Sequence, residues 1–125
     1  MKSLIGVKKR QAVWKKTDGH CTYCGIVLEP SHAITGHQFC IDHVISPLLG
    51  GNHDLANLVP ACHRCNSAKH QLSIEDYRKL LVRKKYPQFT ATHIAHLQSL
   101  GLVLPHDFPC YPPYVFWFEE QGITL

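Results

Sequence analysis

Two Cys-x-x-Cys pairs, Cys21/Cys24 and Cys62/Cys65, stand on either side of Cys40-Ile41-Asp42-His43. Thiolate sulfur is a soft ligand, and four sulfurs in two tight pairs suit the closed tetrahedral set of a structural Zn²⁺. Asp42 is a hard anionic ligand of the kind that Mg²⁺ or Mn²⁺ takes. His43, with an ordinary imidazole pKa of about 6.5, has a neutral form that accepts a proton near neutral pH. Asn66 follows the second pair at once and offers a neutral oxygen one helical turn from the frame. Two kinds of chemistry are superimposed: sulfur for a structural metal, and oxygen with imidazole for catalysis.

The elements that must position these groups are short. Lys8 to Lys16 alternates basic residues with Ala12, Val13 and Trp14, which predicts a helix turning Val13 and Trp14 inward, ended by Asp18-Gly19. His20 to Gly25 reads as a zinc knuckle, with Gly25 free to take the positive φ of a tight turn. Ile26 to Gln38 is a loop or weak hairpin. Phe39 to Ile45 is apolar and β-prone apart from Asp42-His43, so it reads as a strand with a polar pair near its end. Adjacent strand side chains face opposite ways, so Asp42 and His43 share a site only if that end twists or bulges.

Beyond it, Ser46-Pro47 and Gly50-Gly51-Asn52 form a turn-rich connection. Leu55 to Val59 is a second short strand or a tight turn carrying Asn57. Pro60 and Cys62 lead into a short helix through about Gln71, bearing Cys65, Asn66, Lys69 and His70. Ser73 to Asp76 has a capping pattern, and Ile74, Tyr77, Leu80 and Leu81 give a helical stripe. Thr90 to Leu100 is a further helix ended by Gly101.

At 125 residues the chain is expected to be one domain, 1–125, and its 45% hydrophobic content is ordinary for a globular protein. The 13 Lys and Arg against 9 Asp and Glu give a net charge of +4, a mild tilt toward polyanions. Lys8, Lys9, Arg10, Lys15 and Lys16 crowd one end, and no Lys or Arg follows Tyr86. The apolar stretch Leu4 to Val7 is too short for a signal-peptide core, and no apolar run approaches the roughly 20 residues that span a bilayer. With four of six cysteines in metal-type pairs, a reducing, cytoplasmic setting is expected, with Cys40 and Cys110 as free thiols.

With these motifs in place the chain resembles the HNH endonucleases, members of the His-Me finger (ββα-metal) superfamily. The likeness rests on Trp14, Gly19-His20-Cys21-x-x-Cys24-Gly25, Ile41-Asp42-His43-Val44, Gly50-Gly51, Asn57-Leu58-Val59-Pro60 and Cys62-x-x-Cys65-Asn66-x-x-Lys69. The family's last namesake histidine is replaced by Asn66. The resemblance implies an α+β, ββα-metal fold over residues 8–86, with 87–125 a helical, aromatic-rich extension. It implies a DNA endonuclease with Cys21, Cys24, Cys62 and Cys65 on structural zinc. Asp42 and Asn66 would hold one catalytic Mg²⁺ or Mn²⁺, with His43 the general base. Asn57 would hold the loop or the His43 ring, and the products would carry 5′-phosphate and 3′-hydroxyl ends.

Arg64 and Lys69, beside the ligands, are the expected contacts to DNA, mainly along its backbone, with Lys8 to Lys16 as a flanking patch. His70 is either a third ligand or a solvated residue. His20, His53 and His63 are loop histidines that could touch phosphate, and His32, His37, His93, His96 and His106 are left as surface or packing residues. Phe108 to Phe118 either covers the core or forms an interface with a second copy or another protein. Two alternatives stand beside the nuclease: a catalytically silent zinc-binding module for nucleic acid, and a zinc-stabilised protein-interaction domain.

Overall fold

The computed structural model describes residues 6–30 and 36–125. His32 and the middle of the expected 26–38 loop lie outside the described residues. The chain forms two compact units, one of residues up to Tyr77 with Val115–Leu125, the other Arg78–Tyr114.

The first unit holds helix α1 (Val7–Lys15), strands β1 (Phe39–His43) and β2 (Leu58–Cys62), helix α2 (His63–Lys69), the start of α3 (Ile74–Lys85), and a last short helix, Trp117–Glu120. β1 and β2 pair antiparallel from Phe39↔Cys62 to His43↔Leu58. The order strand, strand, helix is the expected α+β arrangement. β2 differs in extent: it runs through Pro60 to Cys62, where the sequence suggests a helix entry. A two-stranded sheet is all edge, and an edge tolerates proline. The Pro60 carbonyl is used from outside the sheet, accepting from the Thr22 N–H at 3.0 Å.

α2 is shorter than expected. The Cys62 sulfur caps its start, accepting from the Cys65 N–H at 3.4 Å. Its end comes at Lys69 because His70 takes φ 51°, ψ −119°, and the Leu72 N–H closes a turn onto the Lys69 carbonyl at 2.9 Å. Ser73 caps α3 as its sequence suggests, with its hydroxyl accepting from the Asp76 N–H at 3.1 Å.

The core of this unit gathers Val13, Tyr23, Leu28, Phe39, Leu58, Val59, Tyr77 and Phe116, all buried. Phe116 and Phe118 thus fill the core from the C-terminal segment. That segment is also pinned by backbone: Trp117 N–H donates to the Tyr23 carbonyl and Phe118 N–H to the Thr22 carbonyl, each at 3.0 Å. Gly25 answers to both constraints of the knuckle. Its φ is +78°, and an added Cβ would sit 2.2 Å from the Trp117 ring.

The second unit contains the rest of α3, helix α4 (Ala91–Ser99) capped by Thr90, and a long return. It is held by the stacked pair Tyr86–Tyr111 at 4.8 Å, the edge-on pair Phe89–Phe108 at 5.2 Å, and a hydrogen bond from the Arg78 guanidinium to the Tyr114 carbonyl. No described helix is long and apolar enough to cross a membrane.

Candidate active site and metal centre

The knuckle after α1 and the junction of β2 with α2 bring Cys21, Cys24, Cys62 and Cys65 together, all four sulfurs within 4.8 Å of one another. The Cys24–Cys62 separation is 3.8 Å. A tetrahedron with Zn–S bonds of about 2.3 Å has edges of about 3.8 Å, so spacing and donor type both fit a zinc ion. Contacts with Cys21, Cys24 and Cys65, aided by the Cys65 N–H, pull the Cys62 thiol well below its ordinary value. Cys24 is lowered to about 7, chiefly by its contact with Cys21. The same contacts push the Cys21 and Cys65 thiols up, so the four sulfurs share protons among themselves, and a metal binds by displacing those protons. Cys40 and Cys110 stand apart as free thiols.

Strand alternation turns Asp42 into the protein and His43 toward solvent. Asp42 is 3% exposed, and its Oδ2 accepts from the Tyr23 hydroxyl at 2.5 Å and pairs with the Lys69 ammonium at 3.1 Å. Burial pushes the Asp42 carboxyl above its ordinary range, against the pull of Lys69 and Tyr23. The Tyr23 hydroxyl is raised too, first by burial and then by the neighbouring carboxylate.

Lys69 corrects an expectation. It has no exposed surface, and its ammonium is spent on Asp42, on the His43 carbonyl at 3.0 Å and on the Val44 carbonyl at 3.5 Å. It has no face left for a phosphate. It ties the end of β1 to α2 from beneath.

His43, half-buried, meets His53 with its Nε2 2.9 Å from the His53 Nδ1, the rings edge-on at 5.0 Å. Burial lowers its pKa from 6.5, His53 adds to the effect, and Asp42 opposes it. Although Asp42 and His43 face apart along the strand, they border one open cavity of about 400 Å³, shared with Ser46, Asn66 and His70. Their position at the strand's last two residues permits this without a bulge. His70 therefore reaches the cavity from a turn rather than from the helix face that carries Asn66.

Asn57 acts on the loop. Its Oδ1 accepts from the Ile45 N–H at 2.9 Å, and its Nδ2 donates to the Ile45 carbonyl at 2.9 Å and the Asn52 carbonyl at 2.8 Å. The ring of His43 is not among its partners. Gly51 lies so close beneath that an added Cβ would stand 1.8 Å from the Ile45 carbonyl oxygen, which explains one half of the Gly50-Gly51 pair.

The basic helix also differs from expectation. The Arg10 guanidinium lies 4.3 Å over Phe39 and donates to its carbonyl at 3.1 Å. Lys9 donates to the His53 carbonyl, and Lys16 to those of Leu55 and Leu58. Three of the five cations clamp the strand and loop, leaving Lys8 and Lys15 exposed. Arg64 is exposed on α2, as a phosphate contact requires. His20 stacks on Trp117 at 5.1 Å and is a packing residue.

An imidazole whose pKa keeps it neutral, hard oxygens and a solvent-open cavity beside a sulfur frame form a set suited to metal-assisted hydrolysis. Residues 21–72, which contain the four cysteines, Asp42, His43, Asn57 and Asn66, match the family described as HNH endonuclease. Over that segment the chain is similar to the HNH endonucleases. Over 76 residues it is 29% identical to the "SPbeta prophage-derived putative HNH endonuclease YoqL" of Bacillus subtilis (strain 168), covering 51% of this chain and 30% of that protein. The crystal structure of the Type II-C Cas9 enzyme from Actinomyces naeslundii aligns with a TM-score of 0.47 at 20% identity, over 79% of this chain and 13% of that one. The chain thus spans less than a third of either protein.

Within the matched segment, the places of two residues differ from what the sequence suggests. Lys69 is the more recoverable. Cys62, Cys65, Asn66 and Lys69 follow the i, i+3, i+4, i+7 rhythm of one helix face, and that face points at the frame. His53 has no such local signal, since its contact with His43 depends on the path of the loop between them.

Proposed function

We propose that this chain is a metal-dependent HNH endonuclease that hydrolyses DNA phosphodiester bonds to 5′-phosphate and 3′-hydroxyl ends. The observation that carries the reading is one open cavity bordered by Asp42, His43 and Asn66, the last of these following Cys65 of the four-sulfur cluster on α2. Cys21, Cys24, Cys62 and Cys65 would hold a structural Zn²⁺ that joins the knuckle to the β2–α2 junction, binding worth on the order of 10 kcal/mol to folding. Asp42 and Asn66 would hold one Mg²⁺ or Mn²⁺, with the Asp42 carboxylate oriented by Tyr23 and Lys69. When bound, that ion supplies charge neutralisation on the phosphate and on the departing 3′ oxygen.

His43 takes the proton of the attacking water. Its Nε2 is occupied by His53, so Nδ1 is the nitrogen left for the water, and its lowered pKa keeps it neutral and ready. Asn57 holds the 45–52 loop that flanks the base. Arg64 supplies a cation to the DNA backbone, which carries little base information, so sequence preference is weak.

The test is incubation of supercoiled plasmid with the zinc-loaded protein, with Mg²⁺ and with EDTA. Cleavage that requires the ion, is lost in His43→Ala and Asn66→Ala, and leaves ends that ligase reseals is the expected result. Plasmid that is bound yet stays intact under every divalent cation would replace the nuclease with a silent nucleic-acid-binding module.

A further inference from the structure

We propose that His53 is a positioning residue for His43, accepting a hydrogen bond that fixes which ring nitrogen of His43 is free to take a proton. The inference rests on the reading of His43 as base and adds a second imidazole to it. A neutral imidazole has one N–H and one lone pair, and the bond at one nitrogen decides the state of the other. The His43 Nε2 lies 2.9 Å from the His53 Nδ1, a hydrogen-bonding distance that only one of the two nitrogens can donate across. No other described residue takes up the His43 Nδ1. If the His43 Nε2 carries the proton, the lone pair falls on Nδ1, the nitrogen left for water. With the opposite tautomer, Nδ1 bears a hydrogen and cannot act as a base.

The loop around His53 is built to hold it there, although its side chain is exposed. Lys9 reaches across from α1 to the His53 carbonyl. On one side Asn52 is tied by its carbonyl to the Asn57 amide at 2.8 Å, and its own side chain accepts from the Asp54 N–H at 3.1 Å. The residue is therefore anchored at its own backbone and at both neighbours. Such anchoring accounts for two features at once: Asn57 serves the base through the 52–54 turn, and one lysine of the basic helix points at the loop instead of at solvent. The edge-on ring contact at 5.0 Å limits rotation of the His43 ring as well. After His43 takes the proton of water, its Nε2–H remains bonded to the His53 lone pair, so the new positive charge is met by a fixed acceptor.

The experiment compares zinc-loaded wild type with His53→Phe, which keeps a ring without nitrogen, and His53→Gln, whose carbonyl oxygen can accept the same N–H. Long-range ¹⁵N–¹H correlation on histidine-labelled protein at about pH 8, where an ordinary imidazole is neutral, reads the His43 tautomer without substrate. The Nε2–H form should dominate in wild type and His53→Gln and give way to a mixture in His53→Phe. Single-turnover plasmid cleavage with Mg²⁺ should fall about 10- to 100-fold in His53→Phe, the usual loss of an orienting partner, with DNA affinity unchanged and most of the rate restored by glutamine. A wild-type His43 protonated at Nδ1, or a phenylalanine variant with unaltered tautomer and rate, would overturn the proposal. So would joint displacement of the His43 Nε2 and His53 Nδ1 signals by added Zn²⁺, which would make the pair a chelate. Cleavage that survives His43→Ala is a different result: it removes the base itself, whatever the tautomer measurement shows.

Discussion

Replacing Lys69 with methionine separates two incompatible roles for that residue. A lysine on the DNA backbone is exposed; its loss leaves stability within about 0.5 kcal/mol and flattens the salt dependence of binding by about 0.9 per phosphate. The geometry dictates the opposite. Lys69 is wholly buried, 3.1 Å from a carboxylate that is itself 3% exposed, and 3.0 Å from the His43 carbonyl. Methionine matches the length of the side chain but removes the ammonium. Asp42 is then a buried carboxylate with the Tyr23 hydroxyl alone, and breaking a buried pair from one side costs about 3–5 kcal/mol.

Urea unfolding of the zinc-loaded protein reads this directly. With a slope of about 2 kcal/mol per molar urea, the midpoint should fall by roughly 1.5–2.5 M. Adding Asp42→Asn to Lys69→Met should return part of the loss, because the stranded charge is gone, and the coupling between the two should exceed about 1 kcal/mol. Plasmid binding by the folded fraction should keep its full salt slope. A methionine variant as stable as wild type but with a shallower salt dependence would refute the reasoning and return Lys69 to the DNA interface.

Three further outcomes follow from the same geometry. Thr22 is buried with no hydrogen-bond partner for its hydroxyl among the described residues, so Thr22→Val, which keeps the shape and drops the hydroxyl, should stabilise the protein by about 1 kcal/mol in urea; a destabilised variant would mean the hydroxyl is engaged. Cys62→Ser removes a metal ligand and the cap of α2 together, so bound zinc by native mass spectrometry and helical circular dichroism should both be lost, and a folded, zinc-replete variant would contradict the structural assignment. The His43 pKa is depressed by burial, so its neutral form persists to lower pH than that of a free imidazole; single-turnover cleavage should rise with pH and reach half its plateau below about pH 6.5, and a half-rise above pH 7 would oppose His43 as base.

What the sequence discloses here is ligand chemistry, and what it conceals is direction. Cysteine spacing announces the four-sulfur frame because two residues per knuckle leave a sulfur pair little choice of target. The alternation of a strand likewise foretells that Asp42 and His43 face apart; only the position of the pair at the end of β1, where the chain turns away, lets both border one cavity. Charge misleads where backbone carbonyls are the partners. Lys9, Arg10 and Lys16 read as a patch for polyanions, yet each donates to a carbonyl of β1, β2 or the loop that joins them. Lys69 misleads in the same way, although its helical phase with Cys62, Cys65 and Asn66 would have turned it inward. A lysine's long stem and three donors let it gather carbonyls as well as phosphates, and only burial decides which. The cations of α1 and α2 thus divide between those spent on backbone carbonyls and those left exposed. Arg64, exposed on α2, belongs to the second group, whereas Lys9 is bound to the loop that carries His53. A loss of activity on mutating Lys9 would accordingly arise with DNA affinity preserved, and on mutating Arg64 with affinity reduced.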